Sequence, residues 1–129
     1  SPEGYFQKVA AFNAGDGNLS VKTPDGIKPK GDDAYIGAVR FSWVPNPLVL
    51  DVGRPYRLHL SSRDVNHGFS IHEHDQASQK ANFQVLPGYD YVLKMTFDKP
   101  GVYDIVCQEY CGAGHQFMVG KIIVQQGGH

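Results

Sequence analysis

An all-β sandwich or barrel of Greek-key type is predicted for this chain, on three observations. Apolar residues recur at every second position in several short stretches. Fifteen Gly and eight Pro residues punctuate those stretches. No segment carries a helical stripe of ten or more residues. A two-residue period puts alternate side chains on opposite faces of a strand, and Gly/Pro clusters between such runs reverse the chain.

The elements follow in order. Residues 13–34, "NAGDGNLSVKTPDGIKPKGDDA", are polar and rich in Gly, Pro and Asp, which reads as a loop or loosely ordered approach with one short strand at "LSVKT". "AVRFSW" and "PLVLDV" are the next strand candidates. In "PYRLHL", Tyr56, Leu58 and Leu60 alternate with Arg57 and His59, so His59 on the polar side is expected at the surface. In "YVLKMTFD", Tyr91, Leu93, Met95 and Phe97 share a face opposite Lys94, Thr96 and Asp98. "VYDIVC" (102–107) and "FMVGKIIV" (117–124) complete a set of six to eight strands, separated by turns at "PNP" (45–47), "VGRP" (52–55), "LPGYD" (86–90) and "DKPG" (98–101). The organisation expected is an N-terminal extension and loop region over 1–34, one β domain over 35–126 and a short tail at 127–129.

Composition sets the functional bounds. A chain of 129 residues can bury one core without disulfide staples. Its formal net charge of −1 leaves no basic excess, so nucleic-acid binding has no electrostatic support. No run approaches the ~18 apolar residues of a membrane-spanning helix, and no charged-then-apolar leader opens the chain. A processed chain, or a soluble piece of something larger, is expected.

The chemistry is concentrated in "CQEYCGAGHQFM", residues 107–118, which holds both cysteines of the chain. A disulfide between Cys107 and Cys111 would close only a small loop, with little entropy removed and demanding geometry. Two structural thiols, or a zinc site using Cys107, Cys111 and His115, are the other plain readings. Met118 shifts the balance, because a thioether serves zinc poorly but is a familiar weak axial ligand for copper. Cys111, His115 and Met118 already complete the ligand loop of a mononuclear blue-copper site. Cys107 is surplus to one copper. Two nearby thiolates can instead bridge two metal ions, which requires a second imidazole from elsewhere. "RDVNHGFSIHEHD" offers His67, His72 and His74. Gly68 beside His67 allows close approach of a neighbouring loop, while His72 and His74 share a face of any extended segment. Spacing puts His67 ahead without excluding the other two. No nucleophile–base pairing outside these residues suggests catalysis.

The residues together resemble a known family. "CQEYCGAGHQFM" is similar to the C-x-E-x-C-x-x-x-H-x-x-M loop of the CuA domain in subunit II of haem-copper oxidases. "SSRDVNHGF" resembles that family's S-x-D-V-x-H-x-F segment, and "VLPG" at 85–88 falls at the matching place between them. The likeness covers roughly residues 36–125, a cupredoxin-like core. It implies His67 and His115 as terminal ligands, Cys107 and Cys111 as bridges, Met118 as a weak axial ligand, and the backbone carbonyl of Glu109 as the corresponding ligand on the other copper. Glu109 stands where the similar domain of nitrous-oxide reductase has Trp, which favours the oxidase type. In many oxidases the matching carboxylate also reaches a magnesium ion at the interface with the catalytic subunit, although that ion needs ligands absent from this chain. Two departures are visible. No transmembrane anchor is present, and where family members often carry several tryptophans "RFSW" supplies only Phe41 and Trp43.

The function implied is electron transfer through a mixed-valence dinuclear copper centre. A charge spread over two metals and two sulfurs alters each bond little, and a rigid sandwich keeps that change small. A c-type cytochrome or similar small redox protein is the implied donor, and a haem in a membrane-bound catalytic subunit the acceptor. The setting implied is the extracytoplasmic face of a membrane, periplasmic in a bacterium. Phe41, Trp43 and Phe69 are candidates for electron entry or docking. Asp64 is a candidate support for His67, or a cap on its own turn. Near-neutral net charge predicts modest salt dependence of docking. The alternatives are a mononuclear blue-copper carrier, the CuA domain of a nitric-oxide or nitrous-oxide reductase, and a copper-delivery protein.

Overall fold

Alternation along β6 (Pro55–Ser62) sets the architecture: Tyr56, Leu58 and Leu60 are buried, while Arg57 and His59 point the other way. The computed structural model describes residues 2–39, 42–62, 67–74, 79–85, 90–107 and 119–127. Before β6 come α1 (Pro2–Ala14), β1 (Ser20–Thr23), β2 (Gly26–Pro29), β3 (Asp33–Val39), β4 (Ser42–Val44) and β5 (Leu48–Asp51). After it come β7 (His67–Glu73), β8 (Gln79–Val85), β9 (Tyr91–Thr96), β10 (Gly101–Cys107) and β11 (Val119–Gln125).

The strands form two sheets. One has seven strands in the order β1-β2-β5-β11-β10-β7-β8, the other four in the order β4-β3-β6-β9. Most pairs are antiparallel, but β11 and β2 run parallel to β5, and β3 runs parallel to β6. Between the sheets lies one core of Leu58, Leu60, Ile71, Tyr103, Ile105 and Ile122 with their neighbours. Each fully buried aliphatic side chain there contributes about 1.5–3 kcal/mol, so the core supplies the rigid frame on which strand-end residues are held. The predicted sandwich is the fold observed.

The N-terminal region departs from the expectation of a helix-free chain. Residues 2–14 form a helix because Tyr5, Val9 and Phe12 recur at helical spacing, with Ala10, Ala11 and Ala14 favouring that backbone. Pro2 is tolerated in the first turn, where its missing N–H has no partner to lose. Gly15 stops the helix in the left-handed conformation, φ 62°, and its N–H donates to the Phe12 carbonyl at 3.2 Å. Phe12 is fully buried in the main core, and the Tyr5 hydroxyl sits against the carbonyls of Ile36 and His59 at 2.8 and 2.7 Å. Burial and loss of hydration drive the Tyr5 phenol well above its ordinary pKa. The strand expected at "LSVKT" is β1, and the rest of the stretch, expected as a loop, adds β2 to make a hairpin whose Ile27 joins the large sheet opposite Leu48. No helix among the described residues is long and apolar enough to cross a membrane.

Candidate metal centre

Three neighbouring strands of the large sheet bring the sequence-predicted residues to one end. β7 and β10 are antiparallel, with Cys107 opposite Phe69. β10 and β11 are antiparallel, with Val106 opposite Val119. The start of β7, the end of β10 and the start of β11 therefore share an edge of the sandwich. His67 is the first residue of β7 and Cys107 the last of β10. Extended backbone advances about 3.3 Å per residue, so His67 stands one pleat beyond the Phe69–Cys107 pair. The segment 108–118 departs from and returns to that same edge.

Glu109, Cys111, His115, Met118, Asp64 and Phe41 lie outside the described residues. Trp43 lies in β4 opposite Ala38, in the smaller sheet, whereas Phe69 lies in β7 directly opposite Cys107. Among the described residues no group of three His, Cys, Asp or Glu side chains could hold a metal ion.

The other histidines are engaged elsewhere. His72 stands opposite Asp104, three pairs down β10 from Cys107. Its Nε2 lies 2.5 Å from Ser70 Oγ, and its buried Nδ1 has no hydrogen-bond partner among the described residues. His74 Nδ1 lies 2.8 Å from Asp104 Oδ2. His59 corrects the expectation of a surface residue. Its side chain is only 15% exposed, with Nε2 2.8 Å from Asp33, Nδ1 3.4 Å from Asp90, and the ring stacked on Tyr35 at 4.5 Å. The helix over β3, which the sequence reading lacked, is what shelters it: Tyr5 packs on Tyr35 and bonds the His59 carbonyl.

Two charged clusters also went unread. Asp33 takes paired bonds from Arg57 at 2.7 and 2.8 Å. Those bonds, with burial opposing and His59 assisting, hold its carboxyl down at about 2. Asp104 receives Lys121 at 2.7 Å and His74 at 2.8 Å. Burial pushes the Asp104 carboxyl up, but these two bonds outweigh it and leave it below the ordinary value. Alternation marks Asp104 and Lys121 as polar-face residues, and nothing in either's local sequence says that they meet.

The donors that the sequence offers are soft, two thiols, two imidazoles and a thioether, and of these His67 and Cys107 stand at one sheet edge. That chemistry fits copper, and the register puts the His67 and Cys107 positions near one end of adjacent strands.

Two sheets packed in this order, with three strand termini gathered at one edge, make a cupredoxin-like Greek-key domain. The copper protein rusticyanin has this fold, at TM-score 0.56 and 19% identity over 93% of this chain and 94% of that one. A chain of a heme-copper terminal oxidase dimer superposes at TM-score 0.62 with 31% identity, covering 93% and 89% of the two chains. Cytochrome c oxidase subunit 2 of Thermus thermophilus is 37% identical over 98 residues, 76% of this chain and 69% of that one. The chain spans 55% of a second sequence of the same description from that species. Residues 25–126 match the family described as cytochrome c oxidase subunit II, periplasmic domain. The chain belongs to that family.

Proposed function

We propose that this domain transfers electrons through a dinuclear copper centre held by His67, Cys107, Cys111, His115, Met118 and the backbone carbonyl of Glu109. The observation that carries the reading is the shared edge where β7 starts, β10 ends and β11 starts, occupied by His67 and Cys107 and flanking the Cys111–Met118 segment. Cys107 and Cys111 would supply the thiolates that hold the pair of coppers, and the bound metal would supply one-electron transfer. The chain's own part is rigidity. Ligands at strand ends inherit the fixed spacing of a close-packed sandwich, which limits movement between oxidation states. Hydrogen bonds to the outer nitrogens of the ligand histidines tune the site, and Asp64 is the proposed partner near His67. The copper-carrying unit is 35–126, with 1–34 as its N-terminal extension.

Family membership supports the wider setting. The domain works at the extracytoplasmic face of a membrane, receives electrons from a c-type cytochrome or similar carrier, and passes them to a haem in the catalytic subunit of an oxygen-reducing oxidase. Phe41, Trp43 and Phe69 are the proposed entry residues, and Phe69 has the added support of its pairing with Cys107. A magnesium ion shared through Glu109 with the catalytic subunit is a secondary part of the proposal. A mononuclear carrier using Cys111, His115 and Met118 is the second reading. Metal analysis and electron paramagnetic resonance of the copper-loaded chain separate them. Two coppers with hyperfine coupling to two equivalent nuclei support the dinuclear centre, and one copper with single-nucleus coupling rejects it.

A further inference from the structure

Asp104 joins three strands. It stands in β10 opposite Lys121 of β11 on one side and opposite His72 of β7 on the other. Its carboxylate accepts from Lys121 Nζ at 2.7 Å and pairs with His74 Nδ1 at 2.8 Å, while Lys121 Nζ also approaches His74 at 3.4 Å. These are the three strands whose ends carry the proposed ligands. Asp104 lies three residues before Cys107, and Lys121 three after Met118. At about 3.3 Å per residue that is roughly 10 Å of strand, close to the shared edge.

We propose that Asp104, clasped by Lys121 and His74, is a positioning residue for the copper centre, aligning β7, β10 and β11 so that the ligands at their ends meet. The inference rests on the copper reading above. The clasp differs from an ordinary surface ion pair in two respects. The Asp104 carboxylate is only 15% exposed, so its charge-assisted bonds are sheltered at that end, although Lys121 and His74 are 40% and 48% exposed. Its main cationic partner is also anchored independently, because the Lys121 N–H donates to Asn46 Oδ1 at 2.9 Å, fixing β11 against the turn before β5. With β11 held at Asn46, a shift of β10 against β11 must break the Asp104–Lys121 bond, and it would move Cys107 relative to the start of β11. On β7, Ser70 is wholly buried and bonds His72, whose backbone faces Asp104. The polar face of β7 is thus organised around the same position.

Positioning and simple charge give opposite signatures. Asp104→Asn removes a negative charge and Lys121→Met a positive one. If Asp104 acts by position, both variants keep copper stoichiometry but lose the equivalence of the two copper couplings, and Lys121→Arg restores it. In metal-free full chain, amide exchange at Val106 and Val119 should rise about tenfold in both variants, since a charge-assisted bond between their strands is gone. Opposite shifts of reduction potential with unchanged hyperfine pattern and unchanged exchange would overturn the proposal. Wild-type protein that takes up copper without the shared-electron spectrum would overturn the copper reading. The exchange arm, run without metal, would then still decide whether the clasp aligns the strands. Asp104→Glu guards against a variant that fails to fold, and it should retain both the fold and the equivalence in part.

Discussion

Val106 in β10 pairs with Val119 in β11, so the segment that leaves the sheet at Cys107 returns beside its point of departure. On the other side of β10, Phe69 pairs with Cys107 and puts the first residue of β7, His67, one pleat further on. A metal centre at this edge needs no long-range folding of loops. It needs three adjacent strand ends to be level, and antiparallel pairing makes them so.

The two cysteines are expected to act as a unit. Cys107→Ser and Cys111→Ser should each abolish the shared-electron resonance signal and reduce copper uptake, because either change removes one of two bridging thiolates. Metal analysis and paramagnetic resonance after copper loading provide the check. A spectrum that survives Cys107→Ser intact would return the site to one copper.

The histidines should separate by position on β7. His67→Ala is expected to lose copper, whereas His72→Ala should keep the wild-type stoichiometry. His72 stands opposite Asp104, well down the strand from Cys107, with its ring turned to Ser70. Met118→Leu should retain both coppers and shift the reduction potential, since a weak axial ligand tunes a site more than it binds the metal. Titration with copper and voltammetry distinguish the three variants.

Gly37 is expected to control the seating of α1. A Cβ at that position would lie 3.0 Å from Phe6 Cε1 and 3.1 Å from Val9 Cγ1, inside normal contact. Gly37→Ala should therefore destabilise the fold by about 1–3 kcal/mol, the usual range for an overpacked site. Denaturant midpoints measure it. An unchanged midpoint would mean that the helix shifts freely on β3, contrary to its buried Tyr5, Phe6 and Val9.

How much of this was readable in advance depends on how far the interacting residues are spread. β6 and β9 were legible from alternating apolar and polar residues, and β10 and β11 as short apolar-rich runs beside turn signals. β8 went unread although "KANFQV" alternates polar and apolar residues, and β2 is only four residues long, whereas β1 falls within the strand expected at "LSVKT". The helix escaped because its stripe is only Tyr5, Phe6, Val9 and Phe12, too short to stand out, and tertiary burial stabilises it. The cysteine, histidine and methionine of residues 107–118 were legible because they are contiguous. Spacing put His67 ahead of His72 and His74 and the resemblance chose it, and in the strand register His67 opens β7 while His72 stands opposite Asp104. Asp104, Lys121 and His74 sit on three strands, so only pairing reveals that they meet.

Asp33 makes acid stability a further test. Its carboxyl is held at about 2 against an ordinary 3.8, chiefly by the Arg57 guanidinium, with His59 assisting against the cost of burial. A folded-state value below the unfolded one means that the unfolded chain binds the proton more readily. The Asp33 contribution is therefore fully present above pH 3.8, and it disappears as pH falls through about 2. The side chain is 35% exposed, so solvent and salt reduce the contribution. Asp33→Asn should lower the denaturant midpoint near neutral pH, with the variant and wild-type curves converging as pH drops toward 2. The gap should also narrow in high salt. Parallel curves down to the acid limit would show that the Asp33–Arg57 pair, though bidentate in geometry, contributes nothing to folding.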